Sequence, residues 1–180
     1  MEDNKEFIDM ALNLGVHRAK IIKTEDILFN PEFRKYCEEN LCGFYNKNLM
    51  CPPDIGTVEE VINKAKSYKY GIFYQTIFPI EDFSDEEGIL KAGIAQNKIA
   101  EEMKQSLKIM GIKDILCMST RCKCCDRCAK LDNQPCHNPE LAMGCLSAYC
   151  VDVSYLAKKC EMNYDCAEGT ISHFGLTLFK

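Results

Sequence analysis

Apolar residues open the chain at helical spacing. Ile8, Ala11 and Leu12 share one face over about Asn4 to Leu14, and Gly15 stops the run. Ala19, Ile21 and Ile22, then Ile27, Leu28 and Phe29, read as strands or strand fragments. Residues 31–56 show no period and carry Pro31, Gly43, Pro52, Pro53 and Gly56, so they read as irregular. Thr57, with Glu60 three residues on, forms a capping box for a helix to about Ser67, with Val58, Val61, Ile62 and Ala65 on its apolar face. Tyr70 to Phe78 is an aromatic and β-branched strand, and Pro79 is expected to end it. The longest helix is expected from about Asp85 to Met110. Ile89, Ala92, Gln96, Ile99, Met103, Leu107 and Met110 hold its three-or-four spacing, and Gly111 stops it. Asp114 to Met118 is a short strand, residues 120–146 are irregular, Val153 to Cys160 is a short helix, and Ile171 to Phe179 is a closing strand.

This alternation predicts an α+β fold, an α/β-like sandwich in which helices cover one sheet. A ferredoxin-like split βαβ arrangement is one version of it. The order also predicts one domain over residues 1–180, with Cys-rich loops at about 31–56 and 120–146 projecting from the ends of the sheet.

Composition narrows the function classes. Hydrophobic residues make up 47% and charged residues 27%, which is a globular balance. A formal charge of −5 argues against a protein that binds nucleic acid through bulk electrostatics. No apolar run reaches membrane-spanning length, and the acidic start, Met1 to Glu6, is the reverse of a signal peptide. A cytoplasmic location is therefore expected. Thirteen cysteines in such a chain point to metal ligation and away from a disulfide framework. Thiolates in this number are easiest to keep in a host that avoids oxygen, so an anaerobe is the expected source.

The cysteines fall into two constellations. Cys122, Cys125 and Cys128 keep a two-residue separation, with Cys136 following behind Pro135. Iron–sulfur clusters are held by thiolates at this spacing, because a tight turn aims successive sulfurs inward. The eight-residue step from Cys128 to Cys136 makes it a variant of the ferredoxin run. Cys124 breaks the spacing and is expected to point elsewhere. Zinc is the rival metal, although its tetrahedral sites more often use paired two-cysteine arms. The second constellation is Cys37, Cys42 and Cys51, the last followed by Pro52 and Pro53. Three thiolates can hold a cubane with one iron open to a substrate; alternatively Cys51 completes the site of the other loop. Arg121, Lys123, Arg127 and Lys130, opposed only by Asp126, would stabilise a negatively charged cluster if they face it and not solvent.

The stretch from Cys42 through Gly43, Phe44, Tyr45, Asn46 and Lys47 to Cys51, Pro52 and Pro53, with Cys122, Cys125, Cys128, Ala129, Pro135, Cys136 and Pro139 downstream, resembles an uncharacterised family of predicted metal-binding proteins. Ser147 to Val153 resembles that family's following segment, in which a glycine usually stands at the place of Cys150. The resemblance covers nearly the whole chain. It implies metal or cluster binding through Cys37, Cys42, Cys51, Cys122, Cys125, Cys128 and Cys136, and it implies no particular reaction.

The remaining cysteines, Cys117, Cys124, Cys145, Cys150, Cys160 and Cys166, read as small apolar residues, with Cys145 and Cys150 the first candidates for added ligands. His137 reads as a loop histidine, and His17 and His173 as isolated. Asp82, Asp85, Glu86 and Glu87 complement a helix dipole, and Tyr68, Tyr70, Phe73 and Tyr74 read as sheet core. No glycine-rich phosphate loop or dinucleotide fingerprint is present. The sequence thus predicts a protein with one or two [4Fe–4S]-type iron–sulfur clusters, working in electron transfer or at an open iron. A zinc-stabilised binding module is the alternative. Expected partners are a redox protein or a small-molecule substrate, with neither nucleic acid nor membrane.

Overall fold

The computed structural model describes residues 4–180. Its elements are α1 (Asn4–Asn13), β1 (Arg18–Lys23), α2 (Phe33–Glu38), α3 (Val58–Lys66), β2 (Tyr70–Pro79), α4 (Glu86–Ile109), β3 (Ile115–Ser119), β4 (Gly144–Cys145), α5 (Val153–Lys159) and β5 (Thr170–Phe179). Single 3-10 turns stand at Thr24–Asp26, Ala129–Asp132 and Ser147–Tyr149. The strands form one open sheet in the order β1-β2-β5-β3-β4. All neighbours are antiparallel except β3 and β4, which run parallel.

The expected α+β architecture is present. Strand parity sends Ile72 and Tyr74 of β2 to one face, where they meet Ala11 of α1 and Ala100, Met103 and Leu107 of α4. Phe73 goes to the opposite face with Leu176 and Leu178 of β5, against Val61 and Ala65 of α3 and Leu156 and Ala157 of α5. The β2 and β5 strands sit centrally and are apolar on both faces, which is why each reads as a near-continuous hydrophobic run. Tyr74 lies flat over its cross-strand partner Gly175; a Cβ there would stand 2.1 Å from the ring.

The split βαβ is also there. Strand β2 and strand β3 are both antiparallel to β5, hence parallel to each other, with α4 as the crossover and β5 inserted between them. With α1 beside α4 on the same face, β1-β2-β5-β3 has the order and directions of a ferredoxin-like sheet entered at a different point in the chain.

Local rules explain most boundaries. The Thr57–Glu60 capping box is formed, and the Asp85 side chain caps α4 by accepting from Gly88 N–H. Gln96 sits fully buried on the apolar face of α4 because its Oε1 accepts from Thr76 Oγ1 of β2. Three expectations are corrected. Residues 31–56 contain α2, a helix too short to show a period. Ile27 to Phe29 is no strand: it follows a 3-10 turn and makes only the single bridge Phe29 to Val151. Pro79 closes β2 from inside, paired with Thr170 at the last rung. Among the described residues no helix is long and apolar enough to cross a membrane.

Candidate metal centre

Both Cys-rich loops reach the same end of the sheet. Strand β3 runs into residues 120–128, β4 ends at Cys145, α4 begins after β2, and β5 begins opposite. The carboxyl ends of parallel strands are where an open sheet leaves a crevice. Here the crevice is a cavity of about 450 Å³ whose wall includes Cys37, Cys42, Cys51 and Cys145.

Each thiol reaches this wall by a local device. Cys37 stands in the last turn of α2. A turn built on left-handed Asn40 and Gly43, with Asn40 Oδ1 accepting from Tyr45 N–H at 2.9 Å, carries Cys42. Asn46 N–H donates to Pro52 O at 2.8 Å and folds the buried Cys51 inward. Cys145 ends β4, where Gly144 lets Ile55 and Tyr149 close in; a Cβ at 144 would meet the Ile55 side chain at 2.6 Å. Ala148 N–H donates to Cys145 Sγ at 3.4 Å.

Arg34, one turn before Cys37, is 6% exposed. Its Nη1 donates to Gly56 O and its Nη2 to Ala148 O, both at 2.9 Å. It therefore ties α2 to the segments just past Cys51 and Cys145. None of the ion pairs among the described residues includes it. A buried cation without a carboxylate calls for a negative neighbour, and the nearby acids that feel it are the Cys37 and Cys150 thiols.

Burial, aided by the other thiols, pushes Cys37 up to about 11 and Cys51 up to about 12. Burial raises Cys145 as well. These groups hold their protons at neutral pH, and a metal bound here would have to displace them.

The second set lies alongside. Cys122 Sγ is 3.5 Å from Cys124 Sγ. Cys125 and Cys136 are near enough to Cys124 to raise its pKa, which burial above all pushes up to about 12. Asn138 Nδ2 donates to Cys125 Sγ at 3.2 Å. Cys124 thus does not turn away from the set, because the chain turns at Cys122 to Cys124 and brings the two sulfurs together. Cys128 immediately precedes the turn Ala129–Asp132. As the side chains stand, no three His, Cys, Asp or Glu groups among the described residues are close enough to grip one ion.

The two sets adjoin. Cys122 is close enough to raise the Cys51 pKa. Asn48 Nδ2 donates to Cys122 O at 3.3 Å, Lys130 pairs with Asp54 at 2.6 Å, and the Arg121 guanidinium stacks 3.6 Å from the centre of the Phe44 ring. The sequence raised the exchange of one cysteine between loops with Cys51 as the donor. The structure places Cys51 with Cys37 and Cys42, and it is the later segment that contributes Cys145 to them.

Of the four basic residues flanking the second set, Arg127 pairs with Asp132 and Lys130 with Asp54. Only Arg121 and Lys123 line the cavity. Lys123 crosses over Gly93 of α4 and donates to Thr120 Oγ1 at 2.9 Å. Asn97 holds that strand exit, accepting from Thr120 Oγ1 at 2.8 Å and donating to Arg121 O at 2.8 Å. Burial, then the charge of Arg121, lowers Lys123 to about 8. His173, isolated in sequence, lines the same cavity. Burial, then the charge of Lys123, lowers it to about 4, so it is neutral, and its buried Nε2 has no partner among the described residues. Arg34, Asn97 and His173 carry no sequence signal as site residues: each is brought in by register or by a long-range contact.

A family described as "Predicted metal-binding protein" (DUF2284) matches residues 20–179. No curated protein and no solved structure matches the chain.

Proposed function

The chain belongs to that family of predicted metal-binding proteins, and from this premise we propose that it is a cytoplasmic iron–sulfur protein whose first cluster is held by Cys37, Cys42, Cys51 and Cys145. The observation that carries the reading is the cavity of about 450 Å³ walled by these four thiols from separate segments. An all-sulfur donor set suits zinc or an iron–sulfur cluster. Four thiolates on one zinc at ordinary bond lengths stand about 3.8 Å apart; a ring of thiols around a cavity suits a larger, polynuclear group. A cluster held this way supplies one-electron transfer. The chain's part is to hold and tune it. Ala148 N–H and Arg34 favour its negative charge, and the apolar wall limits water.

The second set, Cys122, Cys125, Cys128 and Cys136 with Cys124, is read as a second cluster beside the first, close enough for electrons to pass between them. Zinc is the second reading for this set, favoured by the 3.5 Å separation of Cys122 Sγ and Cys124 Sγ. Thirteen free cysteines suit a reducing compartment.

Protein purified without oxygen is expected to be brown, with iron and acid-labile sulfide in equal amounts. Cys125→Ser is expected to lose the iron of one cluster and Cys145→Ser that of the other. Colourless protein with stoichiometric zinc and no sulfide would overturn the cluster reading.

A further inference from the structure

The same cavity has a wall that metal ligation does not use. Besides the thiols, the cavity lining includes Lys123 and His173, together with Ile89, Leu90 and Tyr45. Lys123 enters no ion pair among the described residues. Its Nζ is fixed by Thr120 Oγ1, and the missing side chain at Gly93 makes the room it occupies. His173 Nε2 is buried without a hydrogen-bond partner among the described residues, and buried polar atoms are rarely left so. Among the described residues Lys123 has no anionic partner and His173 Nε2 no hydrogen-bond partner, and the two are near enough for the Lys123 charge to act on the imidazole. The rest of the wall carries the opposed charges of Arg121 and Glu86, but its surface is mainly apolar, the lining of a site for an organic molecule.

We propose that this cavity binds a small organic monocarboxylate, with its carboxylate held by Lys123 Nζ and His173 Nε2 and its apolar body against Ile89, Leu90 and Tyr45. An inorganic phosphate is the poorer fit. Phosphate sites gather backbone N–H groups at a helix start, and here the start of α4 is closed by the Asp85 side chain and flanked by Glu86 and Glu87. The proposal deepens the cluster reading, since the ligand would lie against that centre, but the recognition rests on Lys123, His173 and the apolar wall.

The test is calorimetric titration of the full chain, purified without oxygen with its metal, using phenylacetate and butyrate as probes. Saturable one-site binding of at least one acid is expected. Phenylacetamide, alike in shape but uncharged, should bind about tenfold more weakly or worse, the factor carried by a hydrogen bond to a charged group. Lys123→Met should weaken the acid by a similar factor. Leu90→Trp, a change on a half-exposed helix position remote from every thiol in sequence, should abolish binding while the iron content stays unchanged. No saturable binding of either acid, equal binding of the amide, or undiminished binding by Leu90→Trp would overturn the proposal. Binding by protein that proves to hold no cluster would sink the cluster reading and leave this one standing; a full complement of iron with no binding would do the reverse.

Discussion

At the scale of single residues, the most consequential side chain is Arg34. Its guanidinium bridges two backbone carbonyls that follow Cys51 and Cys145, while no ion pair among the described residues includes it. Arg34→Met would strand both carbonyls and is expected to cost about 2–4 kcal/mol. It should also release iron from the first set, read as a lower iron-to-protein ratio and a lower Tm. Arg34→Lys keeps the charge but not the fork, so it should recover part of the iron and little of the Tm. Cys150 offers the opposite lesson. It is fully buried with φ of 59°, a left-handed conformation that glycine adopts without strain. That explains why a glycine suits this place in the resembling family. Cys150→Gly is expected to keep all the iron, with stability changed by no more than about 1 kcal/mol. Cys150→Val puts a β-branched residue in that conformation and should destabilise far more. Loss of half the iron in Cys150→Gly would identify Cys150 as a ligand.

At the scale of elements, what lies near in sequence was legible and what meets by register was not. The capping box at Thr57, the period of α4 and the runs of β2 and β5 all follow from local rules, and each forms within a residue or two of its expected place. Thr57→Ala should cost about 1 kcal/mol through the lost cap and leave the iron content untouched, since no residue of α3 lines the cavity. Thermal unfolding beside an iron assay checks both halves. Helix α2 and strand β4 were illegible because six and two residues cannot show a period. They are the elements that deliver Cys37 and Cys145. The cysteines of the two loops were visible as candidates from spacing alone. The grouping of Cys145 with the earlier loop depends on the parallel pairing of β4 with β3, a contact with no local signature.

At the scale of the whole molecule, the buried thiols couple metal to acidity. Cys37 and Cys51 have their pKa values raised to about 11 and 12, above the ordinary value of 9.0. Loading must expel protons, so metal affinity should rise steadily between about pH 6 and pH 9, measurable by chelator competition with proton release followed in weak buffer. The metal-free fold carries the opposite dependence. With the folded pKa raised, an unfolded chain loses these protons first; the contribution to stability is complete below the ordinary value and disappears as pH climbs through 11 to 12. Metal-free protein should therefore lose Tm above about pH 9 while the loaded protein, already holding thiolates, is insensitive there. Parallel curves for the two forms would mean that these thiols do not carry the metal.

The place of β5 has a consequence in time. It follows the other four strands in chain order yet lies between β2 and β3 at the middle of the sheet. Until it has been synthesised, β2 and β3 each present a bare edge to other chains, and the cavity lacks the His173 side. The nascent protein thus exposes two strand edges beside an unfinished cavity, and a single late insertion covers the edges and completes the wall.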